Sequence, residues 1–227
     1  MTRWRTLRAD NVESGLSLVE LLVSVVLLGV CLVMISGLYV SATRSLGSAS
    51  ALGANTREAS NGMNAMARSI RAATANPVAS PALADPAIAA ATNESLTLFA
   101  YVNLGLSTQQ PVKIRLEVDA ERRLVETRWP SVPLAGGLFS FASTPLSTRI
   151  LAQTVAPEGS GPPLFSLTDS AGSILPLDIA PTPVQLRSIV TVTVNLTVQT
   201  SATDARSAVT LSNTVGMPNV RFAMVGP

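Results

Sequence analysis

The chain has no histidine, a single cysteine and few aromatic residues, and charged side chains make up only 13% of its 227 residues. The missing histidine removes the commonest general base and the commonest metal ligand together. With Cys31 alone, no intramolecular disulfide can form and nothing follows about redox compartment. Aromatic residues at 4% leave a globular core to be built from β-branched aliphatics and alanine. Sixteen basic against 14 acidic residues give +2, and Lys113 is the only lysine among them. A chain this close to neutral is poorly suited to dedicated nucleic-acid binding, which works by neutralising phosphates. Serines are plentiful but have no imidazole to activate them. The carboxylates are too scattered to nominate an acid–base pair, and no phosphate loop is present. "DSAG" at 169–172 reads as a turn before it reads as a calcium loop. The sequence predicts a protein that is not an enzyme and carries no cofactor or metal.

What is present is one long hydrophobic run. Residues 16–40, "LSLVELLVSVVLLGVCLVMISGLYV", hold Glu20 as their only charge. As a helix they are long enough to cross about 30 Å of hydrocarbon. Arg3, Arg5 and Arg8 precede the run, which favours a cytoplasmic N-terminus and places the bulk of the chain outside. An ionised carboxylate at membrane depth is costly unless paired, so Glu20 needs a reason.

Residues 41–75 are alanine-rich and free of proline. Leu46, Ala49, Leu52, Thr56, Ala59, Met63, Met66, Ile70 and Ala73 recur at three- and four-residue spacing, predicting an amphipathic helix that continues the first. Gly47, Gly53 and Gly62 weaken it by about 1 kcal/mol each relative to alanine. Asn76-Pro77 is the expected stop. A Pro/Ala connector follows, and the period then changes to two. Strands are expected at 94–102, at 112–118 and 124–129 around a turn at 119–122, and at 148–156, 162–169, 173–179, 186–200 and 207–222. In the 186–200 segment Ile189, Thr191, Thr193 and Asn195 alternate with Val190, Val192, Val194 and Leu196, as in an antiparallel sheet with one solvated face.

The organisation predicted is thus a leader at 1–15, a transmembrane or filament-core helix at 16–40, the outer half of the same helix at 41–75, a connector at 76–93 and a β-rich extracytoplasmic domain at 94–227. The fold class is α+β, a long N-terminal helix packed on a small antiparallel sheet. The two helical halves together would run about 90 Å.

A polar leader ending in "SG", followed by "LSLVELLVSVVLLGV" with glutamate at the fifth position, resembles the signal of type IV prepilins and type II secretion pseudopilins. That resemblance implies a pilin-like fold, cleavage by a prepilin peptidase between Gly15 and Leu16, and N-methylation of the new Leu16 terminus. It also implies a role for Glu20: pairing with a neighbouring subunit's amino terminus sets axial register in the filament. One cysteine cannot form the C-terminal disulfide common in major pilins. Together with the length of the chain, this favours a minor pilin or pseudopilin that primes or caps assembly.

The partners implied are the prepilin peptidase, other pilin or pseudopilin subunits, an inner assembly platform and membrane lipid. The location implied is the cytoplasmic membrane, then a surface pilus or pseudopilus. Two alternatives stay open. The chain could be a DNA- or surface-binding pilin-like module. Arg115, Arg122 and Arg123 would then be the candidate contacts within a broader basic stripe that includes Arg44, Arg57, Arg68, Arg71, Lys113 and Arg128. Interleaved Glu58, Glu117, Asp119, Glu121 and Glu126 favour reading that stripe as a solvated face. Alternatively, it could be an anchored or secreted domain outside any filament, "VSA" at 40–42 being a signal-cleavage context.

Overall fold

The computed structural model describes residues 17–76, 85–102, 110–136 and 138–222, without the side chains of the last two. Its first element, α1, is a continuous helix over Leu18–Arg71. The chain divides into two compact units, residues 1–48 and 49–227, so this helix contributes to both. In the first unit α1 is exposed all round. In the second its buried residues are Asn55, Ala59, Gly62, Met63, Ala65, Met66, Ala67, Ser69 and Ile70, the three- and four-residue spacing of one helical face.

The β-strands form two antiparallel sheets rather than the single small sheet expected. The larger has the order β1 (Ile88–Ala91), β2 (Ser95–Ala100), β3 (Val112–Val118), β4 (Leu124–Pro133) and β5 (Phe139–Phe141), with β6 (Ser147–Ala152) also pairing with β4. The smaller has the order β10 (Val209–Gly216), β9 (Ile189–Val198), β7 (Phe165–Asp169) and β8 (Ile174–Leu175). Between β8 and β9 lies a short helix, α2 (Pro183–Ser188); α3 (Pro218–Phe222) follows β10. The class is α+β, with a long apolar N-terminal helix packed through its second half on antiparallel sheet.

One core joins these pieces. Met63, Met66 and Ile70 of α1 meet Leu96, Leu98, Ile114, Leu116 and Leu124 of the larger sheet and Phe165, Leu167, Val192, Val194 and Leu196 of the smaller. Gly62 marks the tightest approach: a Cβ there would lie 3.2 Å from Leu196 Cδ2, 3.4 Å from the Leu151 carbonyl oxygen and 3.7 Å from Leu124 Cδ2. The glycine that weakens the helix locally is therefore what lets α1 touch both sheets at once.

Several sequence expectations shift for identifiable reasons. Helix α1 ends at Arg71, short of residue 75, because the backbone then joins the larger sheet: Ala73 bridges Ala100, and the Thr74 N–H donates to the Phe99 carbonyl at 2.9 Å. Leu46, Leu52 and Thr56 of the expected apolar face are exposed, and Asn55 is buried beside them. Its amide is satisfied, donating to the Ser207 carbonyl at 2.7 Å and the Thr200 hydroxyl at 3.3 Å. Strand β1 falls inside the segment read as a connector. Helix α2 replaces the start of the long strand because Thr182 and Gln185 form a reciprocal capping box ahead of it, with Pro183 at the first helical position. Ile189 is buried although it alternates with apolar neighbours. A register shift between Thr168 and Asp169 opposite it changes the phase at that end.

Candidate functional site

The most distinctive chemistry lies at the start of α1. Ser17 caps the helix: its hydroxyl accepts from the Val19 N–H at 3.3 Å, and its carbonyl accepts from the Leu21 N–H at 3.0 Å. Glu20 sits in the first turn, where a carboxylate is favoured by the helix dipole. It is exposed, and its carboxylate has no hydrogen-bond partner among the described residues. Around it Leu18, Val19, Leu21 and Leu22 are between 57% and 79% exposed. Further along, Val25, Leu28, Val33, Ile35 and Leu38 are likewise exposed on every side of the helix.

A helical stretch apolar on all faces and covered by nothing among the described residues is built for an apolar surround, either lipid or other helices. Among the described residues this is the one helix long and apolar enough to cross a membrane. The expected cleavage position, Gly15-Leu16, lies outside the described residues. Cys31 is a free, exposed thiol within the apolar stretch.

The hairpin arginines are engaged within the chain. Arg122 takes a left-handed backbone conformation (φ 61°) in the β3–β4 turn. Its guanidinium forks onto Glu94 through two 2.7 Å hydrogen bonds and also donates to the Ala156 carbonyl. Arg123 binds Asp119 at 2.7 Å and Glu121 at 3.1 Å. Burial opposes ionisation of Asp119, but hydrogen bonds from the Arg123 side chain and backbone outweigh it and hold the carboxyl below its ordinary value. Arg115 lies 3.6 Å from Glu117 and over the Trp129 ring at 5.4 Å. On the same face Lys113 covers that ring at 4.7 Å, and partial burial followed by repulsion from Arg115 lowers its pKa. The three arginines share a hairpin, yet each is already held by a carboxylate of its own chain.

Glu126, expected among the acids of a solvated face, is placed otherwise. It is fully buried on β4, where it accepts from Arg128 of its own strand and Arg149 of β6. Its register partner on β3 is Leu116, so a carboxylate stands on the core face of the sheet. Only the pairing of β4 with β6, which sets Glu126 opposite Arg149, explains how that is tolerated. A cleft of about 340 Å³ opens between the β3–β4 turn and the 157–164 loop, but Glu94 and Arg122 in its wall are engaged with each other. Among the described residues no group of carboxylates and thiols is placed to hold a metal ion.

The fold thus defines a class: an α+β body carrying an N-terminal helix suited to a membrane. Residues 10–36 match the prokaryotic N-terminal methylation motif, so the chain carries a type IV prepilin or pseudopilin-type signal. No curated protein matches the chain. The signal, together with the apolar helix, supports membrane anchoring of a pilin-like precursor. It implies processing by a prepilin peptidase and association with other pilin subunits, and it points to a structural rather than an enzymatic protein.

Proposed function

We propose that this protein is a minor pilin or pseudopilin, stored in the cytoplasmic membrane and incorporated into a type IV pilus-like filament whose assembly it primes or caps. The observation that carries the reading is the methylation motif running directly onto a helix that is apolar on all sides, with Glu20 its only charge before Arg44. The peptidase cuts between Gly15 and Leu16, and Leu16 becomes the methylated terminus. Lateral packing of apolar helices drives assembly. Glu20 pairs with a neighbouring subunit's amino terminus, because an unpaired carboxylate in that surround would be costly and only the correct axial register supplies its partner. An inner assembly platform and its ATPase extract the subunit from lipid. The carboxylate pairing of Arg115, Arg122 and Arg123 counts against the DNA-binding alternative, because each of those guanidiniums is already held within the chain.

Mass spectrometry of the full chain from its own host, with and without the peptidase, tests this. The expected result is a methylated Leu16 terminus that depends on the peptidase, with Glu20→Ala still cleaved but absent from sheared filaments. A terminus at Thr43, or an intact Met1 insensitive to the peptidase, overturns it and favours an ordinary anchored or secreted domain.

A further inference from the structure

The outward face of α1 in the second unit is polar and carries no acid: Arg57, Asn61, Asn64, Arg68 and Arg71 recur there at helical spacing, and all are exposed. Beside it two adjoining clefts of about 680 and 380 Å³ open between α1 and the larger sheet. Arg68 and Arg149 line both, Arg71 one and Arg128 the other. Glu126 is held by Arg128 and Arg149, so four guanidiniums stand against one buried carboxylate, a local balance of +3. Arg68 and Arg71 form no ion pair among the described residues, although nearly every other arginine of the sheets does.

We propose that this cleft is a docking site for a carboxylate-bearing segment of a different protein, held by Arg68 and Arg71 with Asn61 and Asn64 alongside. Four observations select that occupant. The cleft already shows the chemistry it accepts, since Arg128 and Arg149 grip the Glu126 carboxylate from two sides. Its remaining walls suit a peptide: side-chain amides from Asn61 and Asn64, and small or aliphatic surfaces from Ala65, Ala72, Val102 and Leu151. A second copy of this chain is a poor donor because it offers no cluster of carboxylates: Glu94, Glu117, Asp119, Glu121 and Glu126 are held by arginines, Glu58 accepts from the Gln153 N–H, and the exposed Glu158 and Asp178 each stand singly in sequence. A polyphosphate is disfavoured by the near-neutral chain, whose net charge is +2. The proposal does not depend on filament membership, since the cleft lies wholly within the second unit.

The test is fluorescence anisotropy of a fluorescein-labelled hexaglutamate peptide titrated with the full chain in detergent. Saturable binding that weakens with added salt is expected. Arg68→Gln combined with Arg71→Gln should weaken it by about tenfold or more, because two charge-assisted contacts are lost. Both residues are exposed and glutamine is a good helix former, so the variant keeps its fold, which circular dichroism checks. Arg115→Gln, on a residue held by Glu117 outside the cleft, should leave binding unchanged. Equal binding by the double variant overturns the proposal. So does tighter binding of a labelled twenty-nucleotide thymidine strand than of the peptide, which would reassign the cleft to nucleic acid.

Discussion

Helix α1 is unbroken from Leu18 to Arg71, yet its two stretches solve opposite problems. Through residue 48 the large apolar side chains are Leu, Val, Ile and Met with Tyr39, on every face and all exposed, and a Cβ at glycines 29, 37 or 47 would have nothing within 4 Å among the described residues beyond the helix's own backbone. From residue 49 the buried face is mostly small, and bulk comes only from Met63, Met66 and Ile70 where the sheets leave room. A periodic face can be covered by the chain's own sheets; an all-round apolar surface cannot, because one small domain has no way to surround a helix. The secondary structure is the same in both stretches. What differs is whether the apolar partner is inside or outside the molecule.

That contrast can be broken by truncating one large apolar side chain to alanine in each stretch, followed by thermal unfolding of the full chain in detergent. Met66 is fully buried, so Met66→Ala should destabilise the β-rich body by about 2–5 kcal/mol through lost burial and a residual cavity. Leu28→Ala, in the exposed stretch, should leave that transition where it is. If both lower the melting temperature alike, the distinction fails.

Glycine gives a finer comparison. Gly62→Val forces atoms against Leu196 and the Leu151 carbonyl and should cost about 1–3 kcal/mol. At Gly29 a Cβ would have nothing within 4 Å among the described residues beyond the helix's own backbone, so Gly29→Val should not destabilise the body.

The smallest effect concerns the β-rich body alone. Because the folded-state pKa of Asp119 is lowered, its contribution is present above the unfolded pKa of about 4 and is lost as pH falls through the folded value. Asp119→Asn should therefore be slightly less stable than the parent at neutral pH. The gap should close below about pH 4 in parallel denaturation series. A gap independent of pH would remove Arg123 as its cause.

Much of the fold was legible because periodicity is a local property. The 3.6-residue recurrence of Ala59, Met63, Met66 and Ile70 and the two-residue alternation of Val112, Ile114 and Leu116 each name a buried face, and those residues are buried. The β3–β4 turn was legible too, since Asp119 closes it by accepting the Arg123 N–H at 2.8 Å. Strand β1 was not: Ile88–Ala91 has too little pattern of its own, and pairing with β2 makes it a strand. Glu126 was unreadable for a related reason. Its neighbours in sequence suggest a solvated face, while its tolerated burial depends on Arg149, 23 residues away.

By itself, then, the sequence determined the signal, the apolar helix with its solitary Glu20, and the alternation that makes amphipathic strands, because each of these is written in neighbouring residues. Only the tertiary structure decided which arginines are held by carboxylates, which glycine admits close packing, and where unpaired positive charge is left standing beside α1. Those outcomes depend on distances between residues far apart in the chain, and such distances exist only once strands have paired and the helix has settled into the core.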